Sequence, residues 1–94
     1  MFSRAVHPGD ILKDELGELN LSVSELARQL GVPANRLSQI VRGKRGVSGD
    51  TALRLGHWFG MNPQFWMILQ TGHDLAQARA AVGTMVDHLP TRAA

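Results

Sequence analysis

The sequence predicts an all-α fold, a compact domain of five short helices. Apolar residues recur at helical spacing between glycines and prolines, and no alternating strand pattern of useful length interrupts them. The connections are only a few residues long, which leaves consecutive helices no choice but to pack on one another. The chain has 94 residues, of which 44% are apolar and 19% charged. That is the composition of one folded domain, with no room for a second core.

The first helix is expected over about residues 8–19. Pro8 suits the first turn, Asp10 places a carboxylate near the positive end, and Ile11, Leu12, Leu16 and Leu19 share a stripe. His7 belongs to the entry of this helix. The stretch "SVSE" matches a capping box, with Ser22 as cap and Glu25 reaching back to the Ser22 amide. It opens a second helix over about 23–30, which carries Leu26, Ala27 and Leu30 and stops at Gly31. Pro33 restarts the chain for a third helix over about 33–42, with Leu37, Ile40 and Val41 on one side. A fourth helix over about 50–59 is capped by Ser48 or Gly49 and turns Ala52, Leu55 and Phe59 to one face. Asn62 and Pro63 start a fifth, with Phe65, Trp66, Ile68 and Leu69. Thr71 and Gly72 are candidates for a kink there, after which "DLAQARAAV" continues the helix to residue 82.

About three residues separate the second and third helices. So short a turn forces them to cross steeply, as in a helix-turn-helix. Small Ala27 permits close approach, and Gly31 takes the turn position where a left-handed backbone is cheap. With Leu26, Leu30, Leu37, Ile40 and Val41 turned inward, the third helix presents Ala34, Asn35, Ser38, Gln39 and Arg42 outward. Asn35 and Gln39 can pair with an adenine edge, Ser38 with either base type, and Ala34 with a thymine methyl. An ordinary solvated helix face has similar composition; its place in the turn motif favours base reading.

Charge is distributed to match. The net charge is only +2, but Arg36, Arg42, Lys44, Arg45 and Arg54 stand against Asp50 alone between residues 36 and 54. The preceding segment, with Asp10, Asp14, Glu15, Glu18 and Glu25 against Arg4, Lys13 and Arg28, is acidic. One polyanion-facing surface follows, and the expected partner is double-stranded DNA. Arg42, Lys44 and Arg45 are the phosphate candidates, with Arg36 a further one, and Gly43 and Gly46 let the backbone approach a phosphate. A cation at the end of the third helix also stabilises its negative end, but two of the three lie beyond the last turn.

The runs "HPGDILKDEL" and "LSVSELARQLGVPANRLSQIVRGKRGVSGDTALRLGHWFGMNPQFWMILQ" resemble HigA-type antitoxins, within the phage-repressor-like (XRE/Cro-type) helix-turn-helix class. The resemblance covers about residues 7–76 and is most specific at "HPG", "GKRG" with "DTALRL", and "NPQFW" with "LQ". It implies a lambda-repressor-like DNA-binding fold. It also implies neutralisation of a HigB-type toxin, a RelE-like messenger-RNA-cleaving ribonuclease, and repression of the chain's own operon as a dimer. It places Ala34, Asn35, Ser38 and Gln39 at base-facing positions and Arg42, Lys44 and Arg45 at the phosphate-contacting exit. Val23 stands where many relatives carry a phosphate-touching glutamine, so that contact is missing or passes to Ser24. "TGHDL" lacks the aromatic common before "DL", and His73 packs less apolar area there.

The corresponding organisation is an arm over 1–7, the helix-turn-helix domain over 8–82 with its turn motif about 23–42, and a flexible tail over 83–94. The end of the domain doubles as a dimerisation helix. Leu69, Leu75, Ala76, Arg79, Ala80 and Ala81 are the interface candidates, the alternative being that they complete the intramolecular core. Glu15 and Glu18 are a solvated face, or a surface for a basic ribonuclease.

Other classes are disfavoured. The chain has no cysteine, which removes disulfides and thiol chemistry and permits a cytoplasmic location. The N-terminus reads as unprocessed for secretion, and no apolar run approaches the ~20 residues of a membrane helix. His7, His57, His73 and His88 are scattered without metal-ligand spacing, so no metal or cofactor is expected. Nothing groups Ser, His and Asp into a catalytic site, so neither an enzyme nor a small-molecule substrate is expected. Trp58, Phe59, Phe65 and Trp66 suit core or dimer packing better than base stacking. Two rivals stay open: a stand-alone repressor without a toxin, and an interaction module that has lost DNA binding.

Overall fold

The computed structural model describes residues 6–92. It contains α1 (Pro8–Leu19), α2 (Val23–Leu30), α3 (Ala34–Val41), α4 (Gly49–Phe59), α5 (Gln64–Val82) and a 3-10 helix over Gly83–His88. No strand occurs among the described residues. Arg4 and most of the expected arm lie outside them, as do the last two residues of the tail.

The caps follow local chemistry. Ser22 accepts a hydrogen bond from the Glu25 amide at 3.1 Å, but Glu25 does not complete the expected box. Its carboxylate is engaged by Arg28 and Gln29 instead. Arg28 first, then Gln29, holds the Glu25 carboxyl down to about 2. Ser48, not Gly49, caps α4. Asn62 accepts from the Gln64 amide at 2.9 Å and opens α5. That helix runs unbroken through Thr71 and Gly72, spanned by the i,i+4 bond from Gln70 to Asp74, and nothing crowds Gly72. Gly83–His88, the first part of the expected tail, winds into a 3-10 helix with every residue exposed.

Leu12, Leu16, Leu26, Ala27, Leu30, Leu37, Ile40, Val47, Ala52, Leu55 and Trp66 form one core. α2 packs on α3 and α4, α1 on α3 and α5, and α4 on α5. Some stripe positions depart from expectation: Ile11 and Phe59 are only partly buried, and two others depart further or at the motif itself. Val41 is only partly buried at the edge of the core. Leu19 is 49% exposed, because the left-handed Asn20 turns the chain so that Leu21 packs on the core instead. The domain measures 51 × 25 × 23 Å. The later turns of α5 are exposed.

His7 caps α1: its Nδ1 accepts the Gly9 amide at 2.8 Å, so that nitrogen must be unprotonated. The sequence scatters His7 and His73, but the fold brings their rings to 4.7 Å. Burial, then His73 beside it, pushes His7 below its ordinary 6.5, while Asp10 and Asp74 pull partly back. The folded state therefore binds the proton less readily than the unfolded chain. The cap contributes fully above pH 6.5 and is lost as pH falls through the lowered value. Melting points should therefore fall between pH 7.5 and 5 on this account. His7→Asn keeps a capping oxygen without the titration, so its melts should be flatter over that range. Equal pH dependence in the two proteins would refute the cap.

Candidate nucleic-acid interface

Two helices and a three-residue turn build the interface. α2 ends at Gly31, whose φ of 73° only glycine adopts freely. Val32 bends the chain, and Pro33 carries it into α3 in extended conformation. The turn is also held from outside the motif. Arg54 of α4 donates to the Leu30 carbonyl at 2.8 Å and reaches the Gly31 carbonyl at 3.4 Å. A second tie joins α2 to α4, where the Trp58 indole donates to Gln29 at 2.8 Å.

With Leu37 and Ile40 buried, Asn35, Ser38, Gln39 and Arg42 share the opposite side of α3, one and two turns apart. Ala34 and Asn35 are exposed at its leading end, and Ser38 and Gln39 are partly buried. Asn35 and Ser38 make no side-chain hydrogen bond among the described residues. Gln39 does: its Oε1 accepts from Arg45 Nε at 2.8 Å. A free glutamine can donate and accept at once, whereas this one offers chiefly its amide N–H groups. Ser24 is exposed in the first turn of α2, beside amides left free by the helix start.

The expected cations separate into two groups. Arg42, Lys44 and Arg45 are exposed around the end of α3, on a loop pinned by Gly43 N–H to the Ile40 carbonyl and Lys44 N–H to the Gln39 carbonyl. Arg36 is not among them: its guanidinium binds Asp50 at 2.7 Å, and Arg54 binds the same carboxylate at 3.1 Å. Arg36 first, then Arg54, holds the Asp50 carboxyl below the usual carboxylate range. This pairing ties α3 to α4 and leaves three open cations where four were expected.

The glycines separate likewise. Gly43 is open. Gly46 is exposed too, but one side of it packs on α5: a Cβ there would lie 2.8–2.9 Å from the Gln70 side-chain amide. Gln70 and Arg54 were not among the expected site residues. Each left a trace in the sequence: Gln70 stands one turn after Trp66 on an inward face, and Arg54 one turn after Asp50.

The interface expectations on α5 also divide. Leu69 packs against the core, as the alternative reading had it. Leu75, Arg79 and Ala80 are exposed, and Ala76 is half-buried. The exposed apolar stripe is Ile68 (69%), Leu75 (47%) and Val82 (37%), each seven residues from the next. Met85, Val86 and Leu89, after the end of α5, are exposed as well. No helix of the described residues is long and apolar enough to cross a membrane.

The helix-turn-helix family model HTH_3 matches residues 12–66. Virulence-associated protein I of Dichelobacter nodosus is 47% identical over 75 residues, 79% of this chain and 69% of that protein. The structure of an addiction module antidote protein of a HigA family from Coxiella burnetii superposes with a TM-score of 0.91 at 40% identity, covering 97% of this chain and all of that one. Pseudomonas aeruginosa antitoxin HigA, solved with the higBA promoter, superposes with a TM-score of 0.90 at 46% identity, covering 97% of this chain and all of that one.

Proposed function

The chain belongs to the HigA-type family of helix-turn-helix proteins, and from that premise we propose that it is an antitoxin that represses its own operon and neutralises a HigB-type, RelE-like ribonuclease. One observation carries the DNA half. Ala34, Asn35, Ser38 and Gln39 present small and amide-bearing side chains from the second helix of the turn, directly beside three open cations. α3 enters the major groove, those four residues meet base edges, and Ser24, Arg42, Lys44 and Arg45 hold phosphates. The relative from Pseudomonas aeruginosa, solved with its promoter, supports the same role here.

The operator-bound form is a dimer. Ile68, Leu75 and Val82 form a seven-residue repeat along one side of α5, and a second copy of α5 buries it. Arg79 shares that side and Ala76 lies at its edge, whereas Ala80 falls toward the far side of α5 and drops out of the seam. Two-fold symmetry then sets half-sites about one DNA turn apart, ~34–36 Å. The toxin half rests on the family and on charge. Glu15 and Glu18 are exposed on α1, an acidic surface suited to a basic RNA-binding protein. The protein acts in the cytoplasm, where both partners are found.

Co-expression with the neighbouring small reading frame tests the antitoxin. Growth should be rescued from the ribonuclease, and the two proteins should co-purify. Failure of both removes the toxin partner. Retained binding to the upstream promoter would then leave the stand-alone repressor.

A further inference from the structure

Gln70 sits in α5, 8% exposed, and faces the loop that follows α3. Its Oε1 accepts the Val47 amide at 2.6 Å, and its Nε2 donates to Asp74 one turn further along the same helix. The Gln70–Asp74 bond is 2.8 Å and fixes which way the amide points, since the carboxylate can only accept. A Cβ at Gly46 would lie 2.8–2.9 Å from the atoms of that amide. Val47 itself is buried in the core.

Lys44 and Arg45 are therefore suspended between two anchors. Upstream, the Gly43 and Lys44 amides bond to carbonyls of α3. Downstream, Gln70 grips Val47. Without that grip the downstream end would carry a buried, unpaired N–H and a loop free to move. A cation on a mobile loop loses more freedom on meeting a phosphate than one already held in place.

We propose that Gln70 is a positioning residue for DNA binding: it presets the Lys44–Arg45 loop against the phosphate backbone, with Asp74 orienting its amide. The role rests on the DNA-binding function proposed above. It makes α5 a support of the phosphate-binding loop as well as a dimer helix. Because the loop carries phosphate contacts, Gln70 governs affinity for every duplex, and it touches base preference only through the Arg45–Gln39 bond.

The test uses the full chain, the duplex upstream of its own gene and a scrambled duplex of equal length. Gln70→Met keeps the volume and removes both hydrogen bonds. It should weaken binding to both duplexes about tenfold, change their ratio far less than that, and speed exchange of the Val47 amide proton. Asp74→Ala alters an exposed residue and leaves the core intact. It should weaken both by about threefold, with a smaller rise in exchange at Val47. If Gln70→Met does not fold, Asp74→Ala decides alone. A folded variant that binds both duplexes like the wild type, whatever its melting temperature, overturns the proposal, since a merely structural role predicts that result. A wild type that binds neither duplex removes the DNA-binding function and the role of Gln70 with it. A wild type that binds while the variants match it removes only the latter.

Discussion

Gly9→Ala should lower stability by about 3 kcal/mol or more, and the melting point by roughly 12–24 °C. A Cβ at position 9 would fall 1.9 Å from the Ile40 carbonyl oxygen and 2.8 Å from its carbon. Both are backbone atoms of α3, so no side chain can rotate away. α1 must instead lift off α3, and the buried contacts between Leu12, Leu37 and Ile40 open with it. For a domain of this size, that is a large share of a total of about 5–14 kcal/mol. Gly17 of the same helix provides the control. Nothing lies within 4 Å of a Cβ there, so Gly17→Ala should stabilise by about 0.5–1 kcal/mol through helix propensity. Circular-dichroism melts of the two variants should move in opposite directions. Equal small shifts would mean that α1 does not rest on α3 through Gly9.

The same residue shows what could be read without coordinates. In "HPG", the proline in a first turn and the histidine at the entry follow from helix-start chemistry alone. The glycine does not: its necessity comes from a carbonyl thirty-one residues away. The helices, the turn and the outward face of α3 were legible because period and punctuation are local signals. The partners of polar side chains were not. Arg36 and Arg45 look alike in the sequence as cations near the recognition helix. One is tied to Asp50 of α4 and the other to Gln39 on α3, and only packing separates them. Leu69 and Ile68 are adjacent apolar residues, yet a rotation of about 100° along α5 sends one to the core and the other to solvent. The sequence narrows each residue to a set of roles, and the angle between helices chooses among them.

That separation changes the expected electrostatics of DNA binding. Four phosphate-contacting cations per subunit would release counterions to give a log–log salt slope near roughly −7 for a dimer. With Arg36 held by Asp50, three remain, and the slope should lie near roughly −5. Affinity for the promoter duplex should then fall by about 10³ between 50 and 200 mM salt. A slope near roughly −7 would mean that Arg36 leaves Asp50 for a phosphate, and one near roughly −3 that a single subunit binds. Substitutions resolve the three cations further. Arg42→Ala should lower the slope by about 2 per dimer and weaken all sequences alike. Gln39→Ala should leave the slope unchanged, cost about 1–3 kcal/mol on the operator, and relax preference at one base position. Arg45→Ala should do both, because its Nε holds the Gln39 oxygen that would otherwise be free to accept from a base. Losing Arg45 should therefore change which base is preferred at the Gln39 position as well as the salt dependence. If Arg45→Ala instead behaves like Arg42→Ala, the Arg45–Gln39 bond does not persist on DNA, and Gln39 reads its base unaided.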